Sequence, residues 1–67
     1  MPIIRIQMAE GRSTAEKTAL MKSVTDAVRQ AIGVELSTIH VMIQEIPAND
    51  IMIAGEPLSD KKARDRV

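Results

Sequence analysis

The sequence predicts a small α/β (α+β) fold, a single β-α-β unit followed by a short C-terminal strand or hairpin. Two runs rich in Ile, Val and Met lie on either side of a segment whose apolar residues recur at helical spacing. Turn-forming residues follow both runs, as is typical of strands. Because a helix connects them, the two strands are expected to lie parallel, with a right-handed crossover.

The first strand is predicted from side chains that alternate between two faces. The alternation places Ile4, Ile6 and Met8 on one face and Ile3, Arg5 and Gln7 on the other. The helix is expected to begin at Thr14, because Ser13 and Glu16 have the spacing of a capping box. Gly33 is a natural residue to terminate it, so the helix is expected to end near Ile32.

The second strand is predicted at Ile39–Ile46, a β-branched run that stops at the turn-forming segment Pro47–Asp50. A third apolar stretch, Ile51–Ile53, precedes Ala54 and Gly55. This order predicts a short strand or a hairpin, which could latch onto a neighbouring subunit.

The chain is expected to fold as one domain, 1–67, whose charged last residues, 58–67, form a flexible tail. A chain of 67 residues buries only about 60% of its unfolded surface, which leaves a monomer marginally stable. It has no cysteine for disulfides, so oligomerisation is the remaining way to add burial. The helix covers one face of the sheet, and apolar side chains on the other, Met42 and Ile46 among them, also predict subunit packing.

Composition excludes several classes of function. Nine basic and nine acidic side chains cancel, and there is no aromatic residue on which a base could stack, so no nucleic-acid partner is expected. One histidine without cysteine predicts no metal site. No secretory signal and no apolar run of bilayer length is present, so the protein is expected to be soluble and cytoplasmic, with no membrane partner.

Proline at position 2 is the first candidate catalytic residue. Removal of Met1 exposes its nitrogen as a secondary amine, whereas a retained Met1 leaves an amide without basicity. An α-amino group titrates at about 7.7–8.0, and burial or a nearby cation lowers that pKa toward neutrality, where general bases work best. Proline is also a tolerated first residue of an edge strand, so position alone leaves a purely structural role open.

Three segments together resemble the 4-oxalocrotonate tautomerase family: Pro2–Ile4, Glu10–Ser13 and Ile53–Glu56. The resemblance covers nearly the whole chain. It implies a homohexamer, a trimer of dimers, in which each dimer forms a four-stranded sheet with two helices on one face. It also implies an isomerase that needs no cofactor and no metal, and that interconverts enol (dienol) and keto forms of a small unsaturated 2-hydroxy or 2-keto acid.

The same resemblance implies the residues of the site. Pro2 would be the general base, and Arg12 would bind a carboxylate of the substrate, a task that suits the planar guanidinium. The backbone amide of Ala9 would hydrogen-bond the substrate. Without the resemblance, Arg12 would be interpreted as a solvated turn residue.

Two positions depart from the best-known dienol tautomerases. His40 stands where they carry a second arginine, and a neutral imidazole donates only one hydrogen bond and supplies no fixed charge. Ile51 stands where they carry an aromatic residue that walls the pocket; isoleucine excludes water but holds a conjugated substrate less specifically. Either residue could instead fill a strand face, a core or a subunit contact.

Two alternatives to a tautomerase remain open at this point. The same scaffold could serve a hydratase, dehalogenase or decarboxylase with protonated Pro2 as the acid; for hydration, Glu45 or Glu56 would be the candidate to activate water. The chain could also be a non-catalytic subunit of an oligomer, and His40 is the feature that favours this alternative.

Overall fold

Two parallel strands and one long helix form the body of the fold. The computed structural model describes residues 1–65, with the side chains of residues 1–61. The elements in chain order are β1 (Ile3–Ala9), α1 (Thr14–Ile32), β2 (His40–Ile46), β3 (Met52–Ile53), β4 (Glu56–Pro57) and α2 (Leu58–Asp65). Strands β1 and β2 pair in parallel, with Ile3 beside His40 and Ala9 beside Ile46. The predicted β-α-β unit is therefore confirmed.

Local capping chemistry sets both ends of α1. The hydroxyl of Ser13 accepts a hydrogen bond from the backbone N–H of Glu16 at 3.1 Å, and the Glu16 carboxylate accepts one from the Ser13 N–H at 3.0 Å. At the other end, Gly33 adopts φ 68° and its N–H donates to the Arg29 carbonyl at 2.9 Å. Because glycine reaches this left-handed conformation without steric cost, the helix ends where the sequence predicts.

The N-terminal cap makes stability depend on pH. The Ser13 backbone N–H, together with the Ser13 hydroxyl and the Arg12 guanidinium, lowers the pKa of Glu16. Such a carboxylate stabilises the fold above its unfolded pKa of about 4.3, and this effect is lost as pH falls through the lowered folded value. We expect Glu16→Gln to lower Tm at neutral pH, with the difference narrowing on acidification. Thermal unfolding of both proteins from about pH 7 to about pH 3 checks this, and a constant Tm difference contradicts it.

The two faces of the β1–β2 sheet differ in exposure. Side chains toward α1 are half-buried, including Ile4, Ile6 and Val41. On the open face Ile3 is 58% exposed and Met42 is 42% exposed. No residue among those whose side chains are described is fully buried. The radius of gyration is 15.3 Å, whereas a compact domain of this size has about 11 Å. The side chains of residues 1–61 therefore do not form a closed core within one chain.

Strands β3 and β4 form a small antiparallel hairpin, as one of the two sequence alternatives predicts. The register pairs Ile53 with Glu56 and leaves Ala54 and Gly55 as a two-residue turn. Ala54 has φ 55° and Gly55 has φ 83°, and a type I′ turn requires positive φ at both central positions. Alanine adopts this conformation at a steric cost that glycine does not have.

We expect Ala54→Asn to stabilise the protein by about 0.5–1 kcal/mol, because asparagine tolerates the left-handed region better than alanine. Ala54→Val should destabilise it, since a β-branched side chain is poorly accommodated there. Denaturant unfolding of the three proteins at one chain concentration measures both effects. Equal stability of all three would show that the turn is not under strain.

The structure of the C-terminal segment differs from the predicted one. Residues 58–67 are expected from sequence to be a flexible tail, but Leu58–Asp65 forms helix α2; the last two residues lie outside the described part. The Leu58 N–H donates to the Ile51 carbonyl at 2.8 Å, which ties the start of α2 to the segment before the hairpin. Asp60 lies in the first turn, where a carboxylate interacts favourably with the helix dipole.

Candidate active site

Pro2 and His40 lie at the amino ends of the two parallel strands. The His40 backbone N–H donates to the Pro2 carbonyl at 3.1 Å, so the two residues are neighbours within one chain. Pro2 is half-buried and His40 is exposed. His40 pairs with Ile3 in the register, which places its imidazole on the open face of the sheet.

Ala9 and Arg12 lie at the opposite, carboxyl end of β1. They line a shallow depression of about 370 Å³ together with Met8, Glu10 and Gly11. Gly11 has φ 126°, a conformation that favours glycine and lets the chain turn from β1 toward α1. The depression is thus formed largely by the turn after β1, which is one of the three segments on which the resemblance to the family rests.

The backbone amide of Ala9 points to an open edge. The next N–H along the chain, that of Glu10, donates to the Ile46 carbonyl of β2 at 3.0 Å. Because successive backbone groups of a strand point to opposite sides, the Ala9 N–H is directed away from β2. Within residues 1–65 no strand pairs with that edge of β1. The amide is therefore placed to donate to a ligand or to another chain.

Arg12 contacts the carboxylate of Glu16 in its own chain. Its Nη1 lies 3.5 Å from Oε2 of Glu16, and the two side chains are 64% and 56% exposed. An exposed pair of this kind is held weakly. Sequence reasoning assigned Glu16 only to the helix cap; its spacing of four residues from Arg12 is the signal that could have identified the pair.

The sequence-predicted site residues separate into two groups within one chain. β1 lies between Pro2 and Arg12, and seven residues at about 3.3 Å per residue separate the two ends by about 20 Å. Ile51 belongs to the carboxyl-end group by position, because it follows β2, and it is half-buried. One chain therefore cannot bring the amine of Pro2 and the guanidinium of Arg12 to the same small acid.

Glu45 has a structural partner on the helix side of the sheet. Its Oε1 accepts a hydrogen bond from Nζ of Lys17 at 2.6 Å, and the two side chains are 34% and 23% exposed. This ion pair fastens α1 to β2. Glu56, the other carboxylate considered for water activation, lies half-buried in β4, opposite Ile53 in the hairpin register.

The described residues offer neither a metal site nor a membrane-spanning helix. There, no three His, Asp or Glu side chains come together in a way that could hold a metal ion. Neither described helix combines the length and the apolar composition needed to cross a bilayer.

Comparison with known proteins identifies the family. A family model described as "Tautomerase enzyme" matches residues 2–61. The chain belongs to the tautomerase family. This tautomerase is 39% identical over 61 residues to probable tautomerase SAV1363 of Staphylococcus aureus, a match that covers 91% of this chain and 100% of the relative.

Solved structures agree with this family. The tautomerase matches TomN, described as a 4-oxalocrotonate tautomerase homologue of the tomaymycin biosynthetic pathway, with a TM-score of 0.88 at 29% identity, over 92% of this chain and 95% of that one. It matches a heterohexamer 4-oxalocrotonate tautomerase of Chloroflexus aurantiacus with a TM-score of 0.85 at 33% identity, over 90% and 97% of the two chains. The protein is an isomerase of the 4-oxalocrotonate tautomerase type, and the predicted fold class is confirmed.

Proposed function

We propose that the protein interconverts the enol (dienol) and keto forms of a small unsaturated 2-hydroxy or 2-keto acid, with the amine of Pro2 as general base. The observation that supports this most directly is that the family match begins at Pro2 and not at Met1. Once Met1 is removed, Pro2 presents a secondary amine at the half-buried start of β1.

The proposed reaction is a proton relay that needs no cofactor. The Pro2 nitrogen accepts the proton of the enol hydroxyl, and the C–O bond becomes a carbonyl as an electron pair moves along the conjugated chain. The N–H of protonated Pro2 then delivers the proton to carbon, which restores the free amine. A positive charge near this nitrogen disfavours its protonated form and keeps more of it available as a base at neutral pH.

Arg12 is proposed to bind a carboxylate of the acid from a second chain. This follows from the separation of about 20 Å between the two ends of β1, since only another chain can place Arg12 beside Pro2. A guanidinium pairs both oxygens of a carboxylate and stabilises negative charge that develops in the transition state. The Ala9 amide, in the same depression, would add a hydrogen bond.

The proposed assembly is a homohexamer built as a trimer of dimers. Three observations support it: no described side chain is fully buried, the open sheet face exposes Ile3 and Met42, and both outer edges of the β1–β2 sheet lack a partner strand within residues 1–65. A structural relative of this chain is described as a heterohexamer. Sedimentation that showed a folded monomer would contradict the assembly.

His40 is proposed to take part in the site beside Pro2 of its own chain. Its imidazole can donate a hydrogen bond to a substrate oxygen but supplies no fixed charge when neutral. Ile51 is proposed to exclude water on the Arg12 side of the site, since it lies at the carboxyl end of the strands. With these two roles, the site could work without the second arginine that the best-known dienol tautomerases carry.

The test is ketonisation of 2-hydroxymuconate, followed by ultraviolet absorbance, with protein confirmed by mass to begin at Pro2. A rate well above that of buffer, abolished in Pro2→Ala, would support the proposed reaction and would show that the site works with His40 in place of the second arginine. Turnover that requires Met1 to be retained would contradict the proline base. If the rate does not exceed that of buffer, the substrate is another small acid or the chain is a non-catalytic subunit.

A further inference from the structure

The carboxylate beside Arg12 is held in place by a second set of contacts. Oε1 of Glu16 accepts the hydrogen bond from the Ser13 N–H at 3.0 Å, while the Glu16 N–H donates to the Ser13 hydroxyl at 3.1 Å. These bonds fix the carboxylate at the first turn of α1. Its other oxygen, Oε2, is then left facing Nη1 of Arg12 at 3.5 Å.

An acid that binds Arg12 therefore meets a negative charge that is already present. Glu16 is ionised at neutral pH, as an exposed glutamate is, and the Ser13 N–H lowers the pKa of its carboxyl group further. A second carboxylate at the guanidinium is repelled by this charge and has to replace its contact. The chain's own contact is long and uses one nitrogen, whereas an incoming carboxylate can form two parallel charge-assisted hydrogen bonds.

We propose that Glu16 lowers the affinity of Arg12 for the carboxylate of a substrate, because an incoming acid has to displace the Glu16 carboxylate from the guanidinium. This inference rests on the proposed role of Arg12 in substrate binding. Glu16 acts through Arg12 and does not touch the reacting atoms. From the strength of exposed ion pairs, its removal should tighten acid binding about 1.5- to 5-fold.

The test compares Glu16→Gln with a matched control, Asp26→Asn. Glutamine can keep the capping hydrogen bonds while it removes the charge. Asp26 is exposed on the same helix, ten residues further on, about 15 Å along its axis, so Asp26→Asn changes the net charge equally but far from Arg12. Each intact oligomer is titrated calorimetrically with adipate, an unreactive dicarboxylate, and assayed with 2-hydroxymuconate.

We expect Glu16→Gln to lower both the Kd for adipate and the KM by about 1.5- to 5-fold, with kcat unchanged and a smaller effect at high salt. Asp26→Asn should leave both constants unchanged, and Glu16→Gln should have no effect when Arg12→Gln is also present. A role limited to helix capping would change Tm without this split between KM and kcat.

Three outcomes separate this inference from the proposed reaction. If adipate binding depends on Arg12 but Glu16→Gln leaves it equal or weaker, the inference is overturned and the proposed function stands. If adipate binding changes as expected while 2-hydroxymuconate is not converted, the inference stands and the proposed reaction is wrong. Adipate binding that does not depend on Arg12 overturns the inference together with the proposed role of Arg12.

Discussion

Replacing Pro2 with alanine is expected to lower kcat for ketonisation by about 10²- to 10⁴-fold, the usual contribution of a positioned general base. Alanine replaces the cyclic secondary amine, whose ring holds the nitrogen lone pair in one orientation at the start of β1, with a primary amine that rotates freely about the N–Cα bond. The measurement is kcat at saturating 2-hydroxymuconate, with sedimentation to establish that the oligomer is intact.

A matched control comes from the same chain without substitution. Protein that retains Met1 carries an amide at the Pro2 nitrogen, so it should be as inactive as Pro2→Ala although every side chain of the site is present. An unchanged kcat in both forms would eliminate the amine as the base and would favour a role for Pro2 at the strand end only.

Arg12→Gln is expected to lower kcat/KM by about 10- to 100-fold, mainly through KM, because hydrogen bonds to charged groups contribute about 1.5–3 kcal/mol. Glutamine keeps a donor but loses the charge and the paired geometry. Steady-state kinetics over a range of substrate concentrations separate KM from kcat.

Lys22→Gln is the matched control for this change. Lys22 lies in the middle of α1, between the two ends at which the site residues lie, and is also exposed. It should leave KM unchanged. If the two substitutions raised KM equally, the effect would come from net charge alone, and Arg12 would have no place in the site.

The regular part of the fold was predictable because its signals are local. Ser13, Glu16 and Gly33 determine the ends of α1 through hydrogen bonds within a few residues, and the alternation in β1 determines which face turns toward the helix. Helix α2 was not predictable in this way. Its start depends on the contact between Leu58 and the Ile51 carbonyl, which joins two segments, and no periodicity records such a contact.

The candidate site shows the same division between local and non-local information. The resemblance to the family identified Pro2 and Arg12, and the strand pattern between them already separates the two residues by the length of β1. The position of His40 beside Pro2, in contrast, depends on the register of two strands. The Ala9 amide has no side-chain signature. Glu16 was recognised as a capping residue, and its second contact, with Arg12, is indicated in the sequence only by their spacing of four residues.

Because Pro2 and Arg12 lie at the two ends of β1, two chains that each carry a different defect can restore activity to each other. Under the proposed mechanism, each catalytic centre is the joint product of two polypeptides, so a newly synthesised chain is inert until it meets another. A chain defective in Pro2 and a chain defective in Arg12 can then complement each other. In a mixed oligomer some centres receive the intact amine from one chain and the intact guanidinium from the other.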